Sequence, residues 1–135
     1  MKNQVSAVQL FHKTFGAPIG VEPQLISKER NDLRYELMRE ENQEYIDACN
    51  SNDMVEVADA LGDMLYILCG TIVEHGMQHK IEQVFNEIQA SNMSKLDEAG
   101  KPIYREDGKI LKGKNYFKPN IKKILEEFNF PKEDK

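Results

Sequence analysis

The stretch "VEVADALGDMLYILCGTIV", residues 55–73, is apolar at most positions and long enough for about five helical turns. A helix that is apolar almost all round is typical of a buried position. The stretch therefore predicts a central helix from about Met54 to His75, followed by Gly76, which suits the position after a helix end. The polar exceptions inside the stretch are Glu56, Asp59, Asp63 and Thr71.

The carboxylates of this helix share one strip of its surface. Spacing of i, i+3 and i+7 places Glu56, Asp59 and Asp63 within about 60° of arc. Burying one unpaired carboxylate costs several kcal/mol, and no lysine or arginine lies between Arg39 and Lys80 to compensate. A hard divalent cation would compensate, because Mg²⁺ prefers carboxylate oxygens. We therefore expect a Mg²⁺ site, with Mn²⁺ as a possible substitute.

A second acidic stretch, "RYELMREENQEYI" (34–46), lies just upstream. It belongs to a predicted long helix that begins at the N-cap Ser27 and ends at about Cys49. On a helical wheel, Glu41 and Glu44 fall among the apolar residues of the buried stripe, and Glu40 lies at its edge. Two further acids of this helix, Glu36 and Asp47, fall further out and are expected to be solvated.

The polar link "NSND" (50–53) is short, so the two long helices should lie antiparallel. Apolar spacing predicts a first short helix over residues 5–15 and a fourth helix from Ile81. The stretch "KPIYREDGKILKG" (101–113) predicts a small hairpin that turns at Asp107-Gly108. Pro119 suits the start of a last helix, which would carry Ile121, Ile124, Leu125 and Phe128. The predicted fold class is all-α, a helical bundle built on two long antiparallel helices.

Length and charge narrow the class of protein. The 135 residues suit a single domain over 1–135, and the net charge of −5 argues against a nucleic-acid partner. No apolar run approaches the ~20 residues that span a bilayer, and the first residues lack the apolar core of a signal peptide. Cys49 and Cys69 fall in apolar helical patterns, which favours reduced thiols and a cytoplasmic location without membrane binding.

The carboxylates are also compatible with two arrangements that need no metal ion. Glu56 could complete a capping box with Asp53. Two polar helix edges at a solvent cleft would account for all five acids of the two stripes, which are Glu41, Glu44, Glu56, Asp59 and Asp63. Two familiar metal sites, in contrast, do not fit the sequence. A di-iron bundle needs Glu-x-x-His pairs, and none of the histidines has a glutamate three residues earlier. An EF-hand starting at Asp97 would place Pro102 where the loop requires glycine.

The motif "EENQE" (40–44) followed by "EVAD" (56–59) resembles the EExxE…ExxD pattern of the all-α nucleoside triphosphate pyrophosphohydrolases of the MazG type. The blocks "FHKTFGAPI" (11–19), "ALGDMLYILCGTIVEHGM" (60–77), "SNMSKL" (91–96) and "KGKNYFKPNI" (112–121) resemble the phosphoribosyl-ATP pyrophosphohydrolase-like branch. One departure from the family pattern concerns Asp63. In many relatives the aspartate at this place follows a glutamate by three residues, but here Ala60 stands three residues before Asp63. The pair Glu56 and Asp59 satisfies that spacing one turn earlier, so both aspartates are kept as candidate ligands.

The resemblance implies hydrolysis of a nucleoside triphosphate, with deoxynucleotides preferred, to the monophosphate and pyrophosphate. The metal ligands would be Glu41, Glu44, Glu56, Asp59 and Asp63. Glu40 would act as the general base, because it lies at the edge of the stripe and keeps its lone pairs free of the cation. Substrate contacts would come from His12 and Phe15 to the base, from Asn92 and Lys95 to phosphate, and from Lys114 and Tyr116 to the triphosphate tail.

The central helix is apolar on too many sides for one helical hairpin to cover. We therefore expect a homodimer or homotetramer in which partner helices complete the bundle. Two alternatives to the triphosphate pyrophosphohydrolase remain: a non-catalytic helical module that binds nucleotides or a partner protein, and a phosphoribosyl-ATP pyrophosphohydrolase.

Overall fold

Two long helices lie side by side in the computed structural model, which describes residues 1–127. Helix α2 spans Lys28–Asn50 and helix α3 spans Met54–Glu74, with a turn over residues 51–53 between them. Arg30, near the start of α2, contacts Glu74 at the end of α3, whereas Glu44 shares a cleft with Asp59 near the start of α3. The two helices are therefore antiparallel, as predicted, and the all-α fold class is confirmed.

Local capping signals set the ends of these helices. The Ser27 hydroxyl accepts a hydrogen bond from the amide of Arg30, and the Asp53 carboxylate accepts one from the amide of Glu56. Helix α3 ends one residue before the predicted His75, and Gly76 follows with a φ of 69°. The left-handed backbone that ends the helix is one that glycine adopts without a steric cost.

Helix α1, Lys2–Phe15, packs against α3 and ends at Gly16, whose φ is 75°. Val5 and Val8 are buried on α1, and Cys69 and Val73 are buried on α3. Both helices thus contribute buried apolar residues to the core.

The segment after α1 runs back along the end of α3. The amide of Gly20 donates to the carbonyl of Val73 at 2.9 Å, and the amide of Gln24 donates to the carbonyl of His75 at 2.9 Å. A Cβ on Gly76 would lie 2.0 Å from the carbonyl oxygen of Glu22, so this position requires glycine. The connection between α1 and α2 is thereby fastened to the same end of α3.

Helix α3 was predicted to be buried with the help of partner helices, and in the single chain part of its apolar surface is exposed. Val55 is 76% exposed, and a stripe formed by Leu61, Leu65 and Leu68 is 38–49% exposed. Helices α1 and α2 each cover one side of α3 and leave this stripe uncovered. Among residues 1–127, no helix is long and apolar enough to cross a membrane.

The chain divides into two compact units, Met1–Gln78 and a second that begins at His79. The second unit holds helix α4, Ile81–Met93, then strands β1, Ile103–Tyr104, and β2, Ile110–Leu111, and finally helix α5, Ile121–Glu126. That residues 1–135 act as a single domain stays a prediction.

The strands of the second unit form the predicted hairpin, with Ile103 opposite Leu111 in an antiparallel pair. Gly108 has a φ of 88° and donates its amide to the carbonyl of Arg105 in the turn. Helix α5 begins at Ile121, two residues later than predicted, because the Asn120 side chain caps it by accepting from the amide of Lys123. The predicted Phe128 lies outside the described residues.

A buried ion-pair network joins α2 to the end of α3. Glu74 is 1% exposed, and its carboxylate accepts from Arg30 at 2.8 and 2.9 Å and lies 3.1 Å from Arg34. Arg34 also donates to the Thr71 hydroxyl at 3.1 Å and to the Ile67 carbonyl at 2.8 Å. Every charge in the network therefore has a partner of opposite sign or a hydrogen-bond acceptor, which a buried charge requires.

Glycine at position 70 makes room for this network. A Cβ at Gly70 would lie 2.5 Å from Nη2 of Arg34 and 2.9 Å from Nε2 of His12. The Nδ1 atom of His12 donates to the carbonyl of Pro18 at 2.8 Å, and the ring is 3% exposed. The three elements α1, α2 and α3 therefore meet around one glycine.

We expect Glu74→Gln to lower the free energy of unfolding by about 3–5 kcal/mol, because it leaves Arg34 buried without its counter-charge. Urea unfolding followed by circular dichroism measures this difference. Asp32→Asn is the matched control, since its ion pair with Lys28 is exposed and such pairs contribute at most about 1 kcal/mol. Equal effects of the two substitutions would contradict the role given to Glu74.

Candidate active site

Carboxylates from both long helices converge in the first unit. One oxygen from each of Glu41, Glu44 and Asp63 lies within 4.8 Å of the others. Glu41 and Glu44 are one turn apart on α2, and the antiparallel packing brings Asp63 of α3 opposite to them. The acidic group, as we call Glu41, Glu44 and Asp63, is thus a product of the helix pairing that the sequence predicts.

Glu41 is the most buried member of the acidic group. Its Oε2 atom is buried and has no hydrogen-bond partner among residues 1–127. Burial, followed by the hydrogen bond and charge of Glu44 and the charges of Asp63 and Asp59, raises the pKa of Glu41 to about 7. Burial and the neighbouring Asp59 and Glu44 also raise the pKa of Asp63. The group therefore holds more negative charge than its surroundings compensate.

The remaining predicted ligands lie beside this group. Glu56 and Asp59 line an open cleft of about 450 Å³ together with Glu44. Asp47 lines the same cleft, although the helical wheel places it further out. The wheel describes α2 alone, and the approach of α3 near the turn brings the last turns of α2 onto the cleft.

A capping box would account for Glu56 without a metal ion, and the structure contains half of one. Asp53 accepts from the amide of Glu56 at 3.1 Å. In a complete box the Glu56 carboxylate would accept from the amide of Asp53, but that amide donates to the carbonyl of Ala48 at 3.0 Å. The Glu56 carboxylate is therefore left to face the cleft.

The predicted burial of the acids is wrong for four of the five. Glu44, Glu56, Asp59 and Asp63 are exposed in the single chain, and only Glu41 among the five predicted ligands is half-buried. Helix α2 and its neighbours leave the open side of the cleft to solvent. A solvent cleft with polar helix edges is thus still compatible with the exposed four, whereas the partnerless oxygen of Glu41 favours a cation.

The remaining charged groups of α2 lie elsewhere. Glu40, the predicted general base, is exposed and is not a member of the acidic group. Its catalytic role stays a prediction. Arg39 pairs with Glu36 on the exposed side of the helix, so Glu36 is solvated as predicted. Arg30 and Arg34 both pair with Glu74 at the opposite end of the helix pair.

The two residues predicted to contact the base differ in exposure. The His12 ring is buried against Pro18 and Gly70, a position that favours a packing role, whereas Phe15 is 71% exposed. Phe15 stacks on Phe11 with ring centroids 4.5 Å apart, and Phe11 meets Tyr66 edge-on at 5.7 Å. Phe11 and Tyr66 were not among the predicted contacts, although the i, i+4 spacing of Phe11 and Phe15 indicates that their side chains touch.

The model of a family described as phosphoribosyl-ATP pyrophosphohydrolase matches residues 8–92 of the chain. The chain belongs to this family. The matched range contains all five predicted ligands, Glu40, His12, Phe15 and Asn92, and it ends before Lys95, Lys114 and Tyr116. Members of the phosphoribosyl-ATP pyrophosphohydrolase family are pyrophosphohydrolases by name, so the predicted superfamily is confirmed.

Two other proteins share the sequence or the fold. An uncharacterized protein of Acanthamoeba polyphaga mimivirus is 30% identical over 131 residues, covering 91% of this chain and 48% of that protein. The chain thus spans about half the length of this curated relative. A crystal structure of a candidate NTP pyrophosphohydrolase from Exiguobacterium sp. 255-15 matches with a TM-score of 0.52 at 24% identity, covering 91% of this chain and 94% of the other. The second similarity shows a shared fold.

The predicted phosphate contacts lie in the second unit of this pyrophosphohydrolase-family chain. Asn92 is exposed near the end of α4, and Lys95 is half-buried just beyond it. Lys114 pairs with Glu98 at 3.2 Å, and the Lys112 ammonium lies 4.7 Å from the centroid of the Tyr116 ring. Their contacts with substrate stay predictions.

The donor set of the first unit fits a divalent cation. Its donors are all carboxylate oxygens, the ligand type that Mg²⁺ and Mn²⁺ prefer. The partnerless Oε2 of Glu41 is accounted for if its partner is a metal ion. Glu41, Glu44 and Asp63 are the residues that would hold it first, with Asp59 and Glu56 beside them.

We expect Glu41→Gln to stabilise the metal-free protein at pH 8. The folded-state pKa of about 7 lies above the ordinary value of 4.5, so folded wild-type protein loses stability as pH rises from about 4.5 through 7. Glutamine is neutral at every pH. The variant should therefore melt a few degrees above wild type at pH 8 in EDTA and gain nothing at pH 4.5.

The matched control is Glu36→Gln, because the adjacent Arg39 lowers the pKa of Glu36 and its substitution should bring no gain at pH 8. Added Mg²⁺ should raise the midpoint of wild type at pH 8 and leave that of Glu41→Gln nearly unchanged. A midpoint difference between Glu41→Gln and wild type that does not change with pH would show that Glu41 is an ordinary surface acid.

Proposed function

We propose that this chain is a Mg²⁺-dependent nucleoside triphosphate pyrophosphohydrolase that acts on deoxynucleotides and releases the monophosphate and pyrophosphate. The observation that carries the proposal is the acidic group, in which a buried oxygen of Glu41 has no partner in the part of the chain that the structure describes. Membership of a pyrophosphohydrolase family supports the reaction type. Carboxylates alone repel a triphosphate, so the same group argues for a cation between protein and substrate.

The residues divide into metal ligands and a base. Bound Mg²⁺ supplies charge neutralisation to the phosphoryl oxygens. The proposed ligands are Glu41, Glu44, Glu56, Asp59 and Asp63, with Mn²⁺ as a possible substitute for Mg²⁺. Glu40 accepts the proton of the attacking water, because it is exposed and lies outside the acidic group. The lone pairs of Glu40 would be free to accept a proton, whereas those of Glu41 would be held by the metal ion.

The exposed aromatic group of Phe11, Phe15 and Tyr66 is proposed to stack on the nucleobase. Aromatic rings stack on any base, so this contact alone gives little base preference. The His12 ring meets Phe11 edge-on with ring centroids 6.3 Å apart, and its hydrogen bond to Pro18 fixes its orientation. Asn92, Lys95, Lys114 and Tyr116 are proposed to contact phosphate.

Glu44→Ala should lower kcat/KM for pyrophosphate release at least about a hundredfold, because it removes a ligand that supports charge stabilisation in the transition state. Alanine is the best helix former, so the helix itself should be retained. Glu36→Ala is the matched control on the same helix and should stay within about twofold of wild type. Normal turnover by Glu44→Ala would end the ligand assignment.

Phosphoribosyl-ATP is the second candidate substrate, because it gives the matched family its name. It carries the same triphosphate, so the acidic group does not distinguish it from a deoxynucleotide. Pyrophosphate release should be measured for the common nucleotides, the deoxynucleotides and phosphoribosyl-ATP, each with and without Mg²⁺. Absence of release from every one of them would favour the non-catalytic binding module.

We also propose that the chain forms a homodimer or homotetramer through α3. The stripe of Leu61, Leu65 and Leu68 has i, i+4, i+7 spacing and lies on one face of the helix, half exposed. A charge placed on that stripe would oppose burial in an interface.

Light scattering on wild-type protein should therefore give a mass of two or four times 15.6 kDa. Leu68→Lys should shift the mass toward the monomer, whereas Leu10→Lys, on the exposed side of α1 at 63% exposure, should leave it unchanged. A wild-type monomer at micromolar concentration would refute the proposed assembly.

A further inference from the structure

Two serines at the end of α4 hold the backbone of Phe117 from both sides. The Ser91 hydroxyl donates to the carbonyl of Phe117 at 2.7 Å, and the Ser94 hydroxyl accepts from the amide of Phe117 at 3.1 Å. The Ser94 hydroxyl also donates to the carbonyl of Ser91 at 2.6 Å. Ser91 is 3% exposed, so its hydroxyl is committed to this contact.

A second fastening lies four residues earlier in the chain. The amide of Gly113 donates to the carbonyl of Lys95 at 2.9 Å, and the Gly113 carbonyl accepts from the amide of Tyr116. A Cβ on Gly113 would lie 2.2 Å from the carbonyl oxygen of Leu96, so a side chain there would push the two segments apart. The segment 113–117 is thus tied to the end of α4 at both of its ends.

The stretch of chain that contains the fastened segment is strongly basic. Residues 109–123 carry six lysines and no acid, and Lys112 and Lys114 flank the glycine that bonds to Lys95. The partner of Lys114, Glu98, is 68% exposed, and such an exposed pair contributes little and yields readily to another anion. Like charges in one stretch of chain repel one another, and a bound polyvalent anion would offset this repulsion.

The same hydrogen bonds occupy carbonyls at the C-terminal end of α4. Exposed carbonyls at a helix C-terminus repel anions. Here the carbonyl of Ser91 accepts from Ser94, and that of Lys95 accepts from Gly113. The fastening therefore brings the backbone of Lys112 and Lys114 to this end of α4 and supplies donors to two carbonyls that would otherwise face an anion.

We propose that Ser91, Ser94 and Gly113 are positioning residues that hold the segment 113–117 against the end of α4. Asn92, Lys95, Lys112 and Lys114 then form one preformed site for the oligophosphate part of the substrate. The identity of that ligand rests on the proposed function, whereas the fastening does not. A preformed site lowers the ordering cost of binding, so the positioning residues act on affinity and not on the chemical step.

A double-mutant cycle on KM tests this role. Lys114→Ala should raise KM about tenfold with kcat within twofold, since it removes a charge-assisted contact. Ser94→Ala should raise KM by a similar factor with kcat again within twofold. Lys114→Ala added to Ser94→Ala should bring less than about a twofold further rise, because the lysine is no longer held in place.

Three controls separate positioning from general stability. Ser94→Thr keeps the hydroxyl and should restore KM toward wild type, and Ser6→Ala, at an exposed position of α1, should change nothing. Gly113→Ala should also raise KM, because its Cβ would push the segment away from the carbonyl oxygen of Leu96. Additive effects of Ser94→Ala and Lys114→Ala, or equal loss of kcat in both, would overturn the positioning role.

Binding of inorganic tripolyphosphate in EDTA, measured by calorimetry, separates this inference from the proposed function. Wild-type protein should bind it, and Ser94→Ala and Gly113→Ala should each weaken binding about tenfold even if no nucleotide is hydrolysed. Equal tripolyphosphate affinity in wild type and both variants, or no binding by wild type, would overturn the inference. Neither result tests the pyrophosphohydrolase activity, which the measurements of pyrophosphate release test separately.

Discussion

The pairing of Glu74 with Arg30 and Arg34 sets the distribution of charge along the two long helices. A carboxylate with 1% exposure must be matched by positive charge, and both of these arginines of α2 are committed to it. Arg39 is paired with Glu36 on the outside of the helix. The opposite end of the helix pair therefore contains acids without arginine partners, and the candidate metal centre follows from where the arginines are placed.

This arrangement gives the pair of helices α2 and α3 one end at which every charge is compensated and one end with uncompensated negative charge. At the Glu74 end, hydrogen bonds to Thr71 and Ile67 complete the network and Gly70 removes the steric obstacle. At the other end, Glu41 keeps a buried oxygen that no described residue pairs with, and its pKa is raised. Perturbed carboxylates of this kind cluster at functional sites more often than elsewhere, which agrees with membership of a pyrophosphohydrolase family.

The features that depend on local signals could be predicted from the sequence. Ser27 and Gly76 mark helix ends through capping and backbone preferences that act within a few residues. The helical wheel brought Glu41 and Glu44 to the face of α2 that meets α3, because helical periodicity is also local. The role of Glu74 was missed, since its partner Arg30 lies 44 residues away and nothing in the pattern couples them. That α3 keeps an uncovered apolar face follows from its apolar pattern, whereas periodicity does not show which element covers that face.

The turn between α2 and α3 has a consequence for how the molecule folds. Because it spans only residues 51–53, Glu41 and Asp63 are brought together by closing a loop on the order of twenty residues, an event that precedes most long-range contacts in a folding chain. The carboxylates of the acidic group therefore repel one another from an early step of folding, when α2 and α3 first pair. Cations in solution would then act on the rate of hairpin closure as well as on the finished protein.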